Sequence, residues 1–141
     1  MNTKTIIHCD AACDPNPGGA MSWAWVITEG PLSKFMFGWI AAKDGNTSNV
    51  AEYIAIGKAA RWCAEQQLQR VVIRSDSQIV VRQINNVVGC HQPHLRKLLG
   101  ALRPILTDTG AQIEWVPRER NRAADALSYE ALQQSRTVDT A

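Results

Sequence analysis

Arg70-Val71-Val72-Ile73-Arg74-Ser75-Asp76 is the stretch that decides the architecture. Three β-branched residues in a row, without polar alternation, mark a short strand buried on both faces, the kind found in parallel sheets. Asp76 closes it. Ile79, Val80, Gln83, Ile84 and Val87 then recur at helical spacing, so the strand feeds a helix. Toward the N-terminus, an Ala-rich helix is expected from near Asn49 to about Gln66, with Asn49 and Glu52 spaced as a capping box. Three strands precede it, at 4–11, 22–29 and 33–42. They are separated by the turn-dense Asp14-Pro15-Asn16-Pro17-Gly18-Gly19 and by Gly30-Pro31. Connections this short favour antiparallel pairing. Toward the C-terminus, a break at Gly89–Pro93 leads into Leu95, Leu98, Leu99, Leu102, Ile105 and Leu106, an amphipathic helix. Pro104 is expected to kink that helix or end its regular part, and Gly110 to stop it. Residues 112–116 read as the last strand. Asn121 is placed to cap a final helix carrying Ala123, Ala124, Leu127, Ala131 and Leu132.

The order β-β-β-α-β-α-α-β-α implies an α/β fold, a mixed sheet with helices on its faces. It reads as one domain over residues 1–136, with 137–141 a disordered tail. Apolar residues make up 45% of the chain and charged residues 20%, as in globular domains. No apolar run is long enough for a membrane span, and the N-terminus lacks the pattern of a signal peptide, so a cytoplasmic protein is expected. The net charge of +2 is too small to argue for nucleic acid by itself. Charge is clustered locally, in Arg118, Arg120 and Arg122 and in Arg96, Lys97 and Arg103. The four cysteines contain no CxxC pair and read as reduced thiols, Cys9 and Cys63 as core residues.

Four acids stand where solubility alone would not put them. Asp10 follows Thr5-Ile6-Ile7-His8-Cys9 within the first strand, where an ionised carboxylate is costly unless something pairs with it. Glu52 sits in the first turn of an otherwise apolar helix, Asp76 at the end of the apolar strand, and Asp125 in the first turns of the last helix. Taken singly, Glu52, Asp76 and Asp125 have sufficient explanations as capping or dipole-complementing residues. As a set they describe carboxylates at the ends of neighbouring strands and helices. Such a cluster repels itself unless divalent cations neutralise it. Mg²⁺ suits a few carboxylates together with substrate phosphates, and a pair of such ions serves phosphodiester hydrolysis.

These segments resemble the type 1 ribonuclease H family. Cys9-Asp10-Ala11-Ala12-Cys13-Asp14-Pro15-Asn16-Pro17-Gly18-Gly19 is similar to its opening strand and glycine turn. Thr47-Ser48-Asn49-Val50-Ala51-Glu52-Tyr53, Arg74-Ser75-Asp76-Ser77-Gln78 and the run from Trp115 to Leu127 are similar to its later motifs, in order along nearly the whole chain. The resemblance implies a ribonuclease H-like fold: a five-stranded mixed sheet, three antiparallel opening strands and then parallel ones, flanked by helices. It implies an endonuclease that cuts the RNA strand of an RNA/DNA hybrid with two Mg²⁺ ions, Mn²⁺ being a possible substitute. Asp10, Glu52, Asp76 and Asp125 would be the catalytic, metal-binding acids. Asn16, Ser48 and Asn49 would lie in the minor groove, where short polar groups read 2′-hydroxyls, and Thr47 would contact a phosphate of the DNA strand. A monomer without an obligatory protein partner is expected.

The chain departs from the family pattern in four places. Ala11 stands where glycine is common and Ser48 where asparagine is common. The segment from Val87 to Leu106 lacks the Trp-bearing basic protrusion of many bacterial members, and the loop just before the last acid holds no histidine. The Val-Pro-Arg-Glu run at 116–119 is closer to an archaeal-type branch, and Arg118 is expected to act electrostatically near the scissile phosphate in place of that histidine. Cys90, His91 and His94 are grouped in sequence, but without the fourth ligand of a structural zinc site they read as a polar turn. A proofreading-type exonuclease would open with Asp-x-Glu, whereas Ala12 stands two residues after Asp10. A non-catalytic hybrid-binding module would not need four intact acids.

Overall fold

The computed structural model describes residues 3–139. Strands β1 (Thr5–Asp14), β2 (Ala20–Glu29) and β3 (Phe35–Ile40) form an antiparallel meander, followed by helix α1 (Ser48–Glu65). Strand β4 (Val71–Ser75) leads to α2 (Gln78–Ile84) and α3 (Pro93–Thr109). Strand β5 (Gln112–Trp115), a 3₁₀ turn (Arg118–Arg120) and α4 (Arg122–Asp139) complete the chain. The sheet order is β3-β2-β1-β4-β5, with β4 parallel to both β1 and β5. This is the mixed sheet that the buried Val71-Val72-Ile73 run implied.

Alternation along the strands assigns each helix to a face. Cys9 contacts the Ala55 carbonyl of α1, and Trp23 and Trp25 meet Lys58 and Trp62 on the same helix. Ser22, displaced by one residue, bonds Ser128 of α4 at 2.8 Å. Helices α1 and α3 therefore cover one face of the sheet and α4 the other. The main core lies under α1 and α3 and includes Ile7, Trp25, Ile56, Ile73 and Leu95, all buried.

Several local expectations are corrected. Helix α1 begins earlier than Asn49: Thr47 is its N-cap, its hydroxyl accepting from the Val50 N–H at 3.1 Å. The Asn49–Glu52 capping box does not form, which frees Glu52 to turn inward. Pro104 does not end α3. Gly100, whose carbonyl loses its intrahelical donor to Pro104, is exposed, so water can satisfy it and the helix continues to Thr109. Gly110, at φ 63°, is the left-handed stop. Helix α2 ends at Ile84, leaving Val87 outside it and exposed. Asn121 does not cap α4 with its side chain, which instead donates to the Cys9 carbonyl at 2.8 Å. Helix α4 continues to Asp139, through residues 137–139 assigned to the tail, while 140–141 lie outside the described residues.

Asn46, which no sequence pattern singled out, pins the β1–β2 turn to the start of α1. Almost fully buried, it donates to the Gly19 and Ala41 carbonyls at 2.9 and 3.0 Å and accepts from the Gly18 N–H at 2.8 Å. Within that turn, a Cβ on Gly19 would overlap the backbone of Asp14 and Pro15. Gly19→Ala is therefore expected to destabilise the protein by about 2 kcal/mol or more, since backbone cannot rotate out of the way as a side chain can. Urea unfolding with no shift in midpoint would contradict this.

Candidate active site

Register brings the first two acids together. Cys9 pairs with Ser75 at the last rung between β1 and β4, so Asp10 and Asp76 stand side by side where the two strands part. Glu52 reaches them from the second turn of α1, held by the buried Ser75 hydroxyl at 3.3 Å. Ser75 also accepts from the Ser77 N–H, which fixes the exit from β4. The ligand oxygens of Asp10, Glu52 and Asp76 lie within 4.8 Å of one another. Asp125 joins from α4, within hydrogen-bonding reach of Asp10. Asn121 ties the start of that helix to the Cys9 carbonyl, next to Asp10. The four acids open into a cleft of about 400 Å³, lined also by Ala11, Ala12, Arg118, Ser128, Tyr129 and Leu132.

The acids differ in environment. Asp10 and Glu52 are each only 6% exposed, whereas Asp76 and Asp125 are half-buried. Burial, with Asp76 and the hydrogen bond to Asp125 adding to it, pushes the Asp10 carboxyl up to about 8. Burial and the charges of Asp10 and Asp76 likewise push Glu52 well up, against smaller opposing hydrogen bonds from Ser75 and the Ala11 N–H. Buried carboxylates that cannot all ionise together form an acceptor-only, oxygen-rich donor set, which fits a hard divalent cation. Among the described residues this is the one group of His, Cys, Asp and Glu side chains close enough to hold a metal ion, and Cys90, His91 and His94 form none. All four cysteines are free thiols.

The other residues singled out in the sequence fall in two places. Arg118, exposed on the 3₁₀ turn, lines the cleft. Asn16 and Ser48 bond each other twice, side chain to side chain at 2.6 Å and Ser48 N–H to Asn16 Oδ1 at 3.2 Å. This joins the β1–β2 turn to the first residue of α1, with Thr47 and Asn49 on either side, both half-buried. Ser75 and Tyr129 were missed. Ser75 looked like one more strand residue, and its role depends on α1 lying across β4. Tyr129 follows Asp125 by four residues, so helical spacing was the available signal.

A model of a reverse transcriptase-like family matches residues 8–131. Ribonuclease HI of Halobacterium salinarum is 34% identical over 131 residues, covering 89% of this chain and 62% of that protein. A bifunctional protein of Mycobacterium tuberculosis matches over 35% of its own length, so this chain spans less than two thirds of these relatives. The crystal structure of RNase H1 from the halophilic archaeon Halobacterium salinarum superposes with a TM-score of 0.82 at 30% identity, covering 93% of this chain and 98% of that one. LC11-RNase H1 in complex with an RNA/DNA hybrid superposes with a TM-score of 0.82 at 26% identity, over 94% and 99% of the two chains.

The raised acids have a consequence for stability. A carboxyl whose folded value lies above its unfolded one favours folding while protonated. That contribution is lost as pH rises from about 4 through about 8. Asp10→Asn removes the charge while keeping the shape. In chelator it is expected to melt above the native protein at pH 8–9 and to lose that advantage near pH 4. Equal melting temperatures at pH 9 would show that Asp10 carries no such strain.

Proposed function

The chain belongs to the type 1 ribonuclease H family, and from that premise we propose that it hydrolyses the RNA strand of RNA/DNA hybrids internally, leaving 5′-phosphate and 3′-hydroxyl ends. The observation that carries this reading is the approach of the Asp10, Glu52 and Asp76 oxygens to within 4.8 Å, with Asp125 lining the same cleft. Asp10, which interacts with each of the other three acids, would hold two Mg²⁺ ions together with Glu52, Asp76 and Asp125. Mn²⁺ fits the same oxygen donors. When bound, such ions polarise the attacking water and offset charge on the phosphate and leaving oxygens. Arg118 adds positive charge at the cleft rim, where charge accumulates on the phosphate as the P–O3′ bond breaks.

The paired Asn16 and Ser48 present short donors and acceptors at an exposed edge, suited to the 2′-hydroxyls of a minor groove. Asn49 adjoins them. The Thr47 hydroxyl accepts its helix-capping bond and still has its own proton to donate to a phosphate. Asn46 supports all four residues from below without facing substrate. No helix among the described residues is long and apolar enough to cross a membrane. Free thiols agree with action in the reducing cytoplasm, and the reading requires one copy of the chain and no protein partner.

The test is cleavage of a labelled RNA strand, alone, paired with DNA and paired with RNA, with Mg²⁺, Mn²⁺ or chelator. Metal-dependent internal cuts confined to paired RNA are expected; folded protein that never cuts would overturn the proposal. Asp10→Asn and Glu52→Gln should each remove activity while the circular dichroism spectrum is retained. Arg118→Ala is expected to lower turnover by about a hundred-fold, and unchanged turnover would exclude it from the chemistry.

A further inference from the structure

Arg122, Asp125 and Tyr129 are three and then four residues apart on α4, and so share one face of the helix. Asp125 and Tyr129 both line the acidic cleft. Arg122 lies one turn before Asp125, at the first residue of an 18-residue helix. That is the positive end of the helix dipole, where a cation is disfavoured unless an anion meets it. Arg122 is exposed and has no ion-pair partner among the described residues. Tyr129 is 63% exposed, and its phenol has no hydrogen-bond partner among the described residues. A cation and a hydroxyl donor, both free, therefore stand on either side of a carboxylate in the cleft. From end to end the three residues span about 10 Å of helix.

We propose that this face of α4 is the track for the strand being cut. Arg122 holds the phosphate on one side of the cut, and Tyr129 donates its O–H to a backbone oxygen on the other. The proposal rests on the hybrid-cleavage reading and adds to it where the substrate is gripped. A cleft of four acids repels phosphates, so the grip has to come from beside it. Of the basic residues before β5, Arg103 is already committed to the Ile84 carbonyl and to Asn86 Oδ1, which leaves Arg96 and Lys97 at the start of α3. Contacts of this kind fix the position of a strand without reading its sequence, which is what an enzyme indifferent to hybrid sequence needs.

The experiment is steady-state cleavage of a hybrid at several salt concentrations by the native chain, Arg122→Gln, Tyr129→Phe and, as a control, Lys34→Gln. Lys34 lies beside Ile27, toward the far end of the sheet from Asp10. Arg122→Gln is expected to raise KM about ten-fold and to reduce the slope of log(kcat/KM) against log salt by about one, because one fewer phosphate is neutralised. Tyr129→Phe should raise KM about three- to ten-fold with the slope unchanged, since a neutral donor releases no counterion. Lys34→Gln should alter neither. A single uncharged methylphosphonate linkage beside the cut should weaken the native enzyme and leave Arg122→Gln no worse than before. If the native chain cleaves and both variants match it in KM and slope, the track is wrong and the activity stands. If the native chain does not cleave, the parent reading falls and the track falls with it.

Discussion

Mutual repulsion among four carboxylates is the constraint around which this molecule is arranged. Asp10 and Glu52 are buried almost completely, beside Asp76 and Asp125. No arrangement of the chain alone removes the cost of ionising them together. The surrounding structure holds them regardless. Ser75 positions Glu52, Asn121 ties the start of α4 to the strand that carries Asp10, and Ser22 and Ser128 join α4 to the sheet. Every one of these bonds links different elements, so the cluster depends on the assembled sheet and helices rather than on any local motif.

That dependence divides the molecule by function. The α1 and α3 side carries the main apolar core, with Trp25 and Trp62 in contact at 4.9 Å between ring centres. The α4 side carries polar stitches, and the acids gather at the strand ends, with Glu52 reaching them from α1. Burial on the first side supplies the stability that the second side lacks, a division common where a site stores unfavourable electrostatics. The β1–β2 turn repeats the pattern on a smaller scale: buried Asn46 fixes the turn so that Asn16 and Ser48 can remain exposed and polar.

Much of this was legible in residue order. The run Val71-Val72-Ile73 announced a buried parallel strand, the short turns announced the opening meander, and Asp10 inside an apolar strand announced a charge that needed a partner. The misreadings share one physical origin, the effect of surroundings on a local preference. Thr47 displaced Asn49 as N-cap because the chain enters α1 two residues earlier than the apolar pattern indicates. Pro104 was tolerated because the carbonyl it leaves unbonded belongs to Gly100, an exposed residue. Asn121 gave up its capping role for a bond to a strand 112 residues away.

The sequence by itself singled out the four acids and the elements they stand on, because apolar periodicity and turn residues act over a few neighbouring positions. Tertiary structure alone decided that Asp10 and Asp76 stand at adjacent strand ends, that Ser75 holds Glu52, and that Arg118 and Tyr129 share their cleft. These relations follow from strand register and from the placement of α1 and α4 on opposite faces. Both are set by packing between segments far apart in the chain, which no local preference encodes.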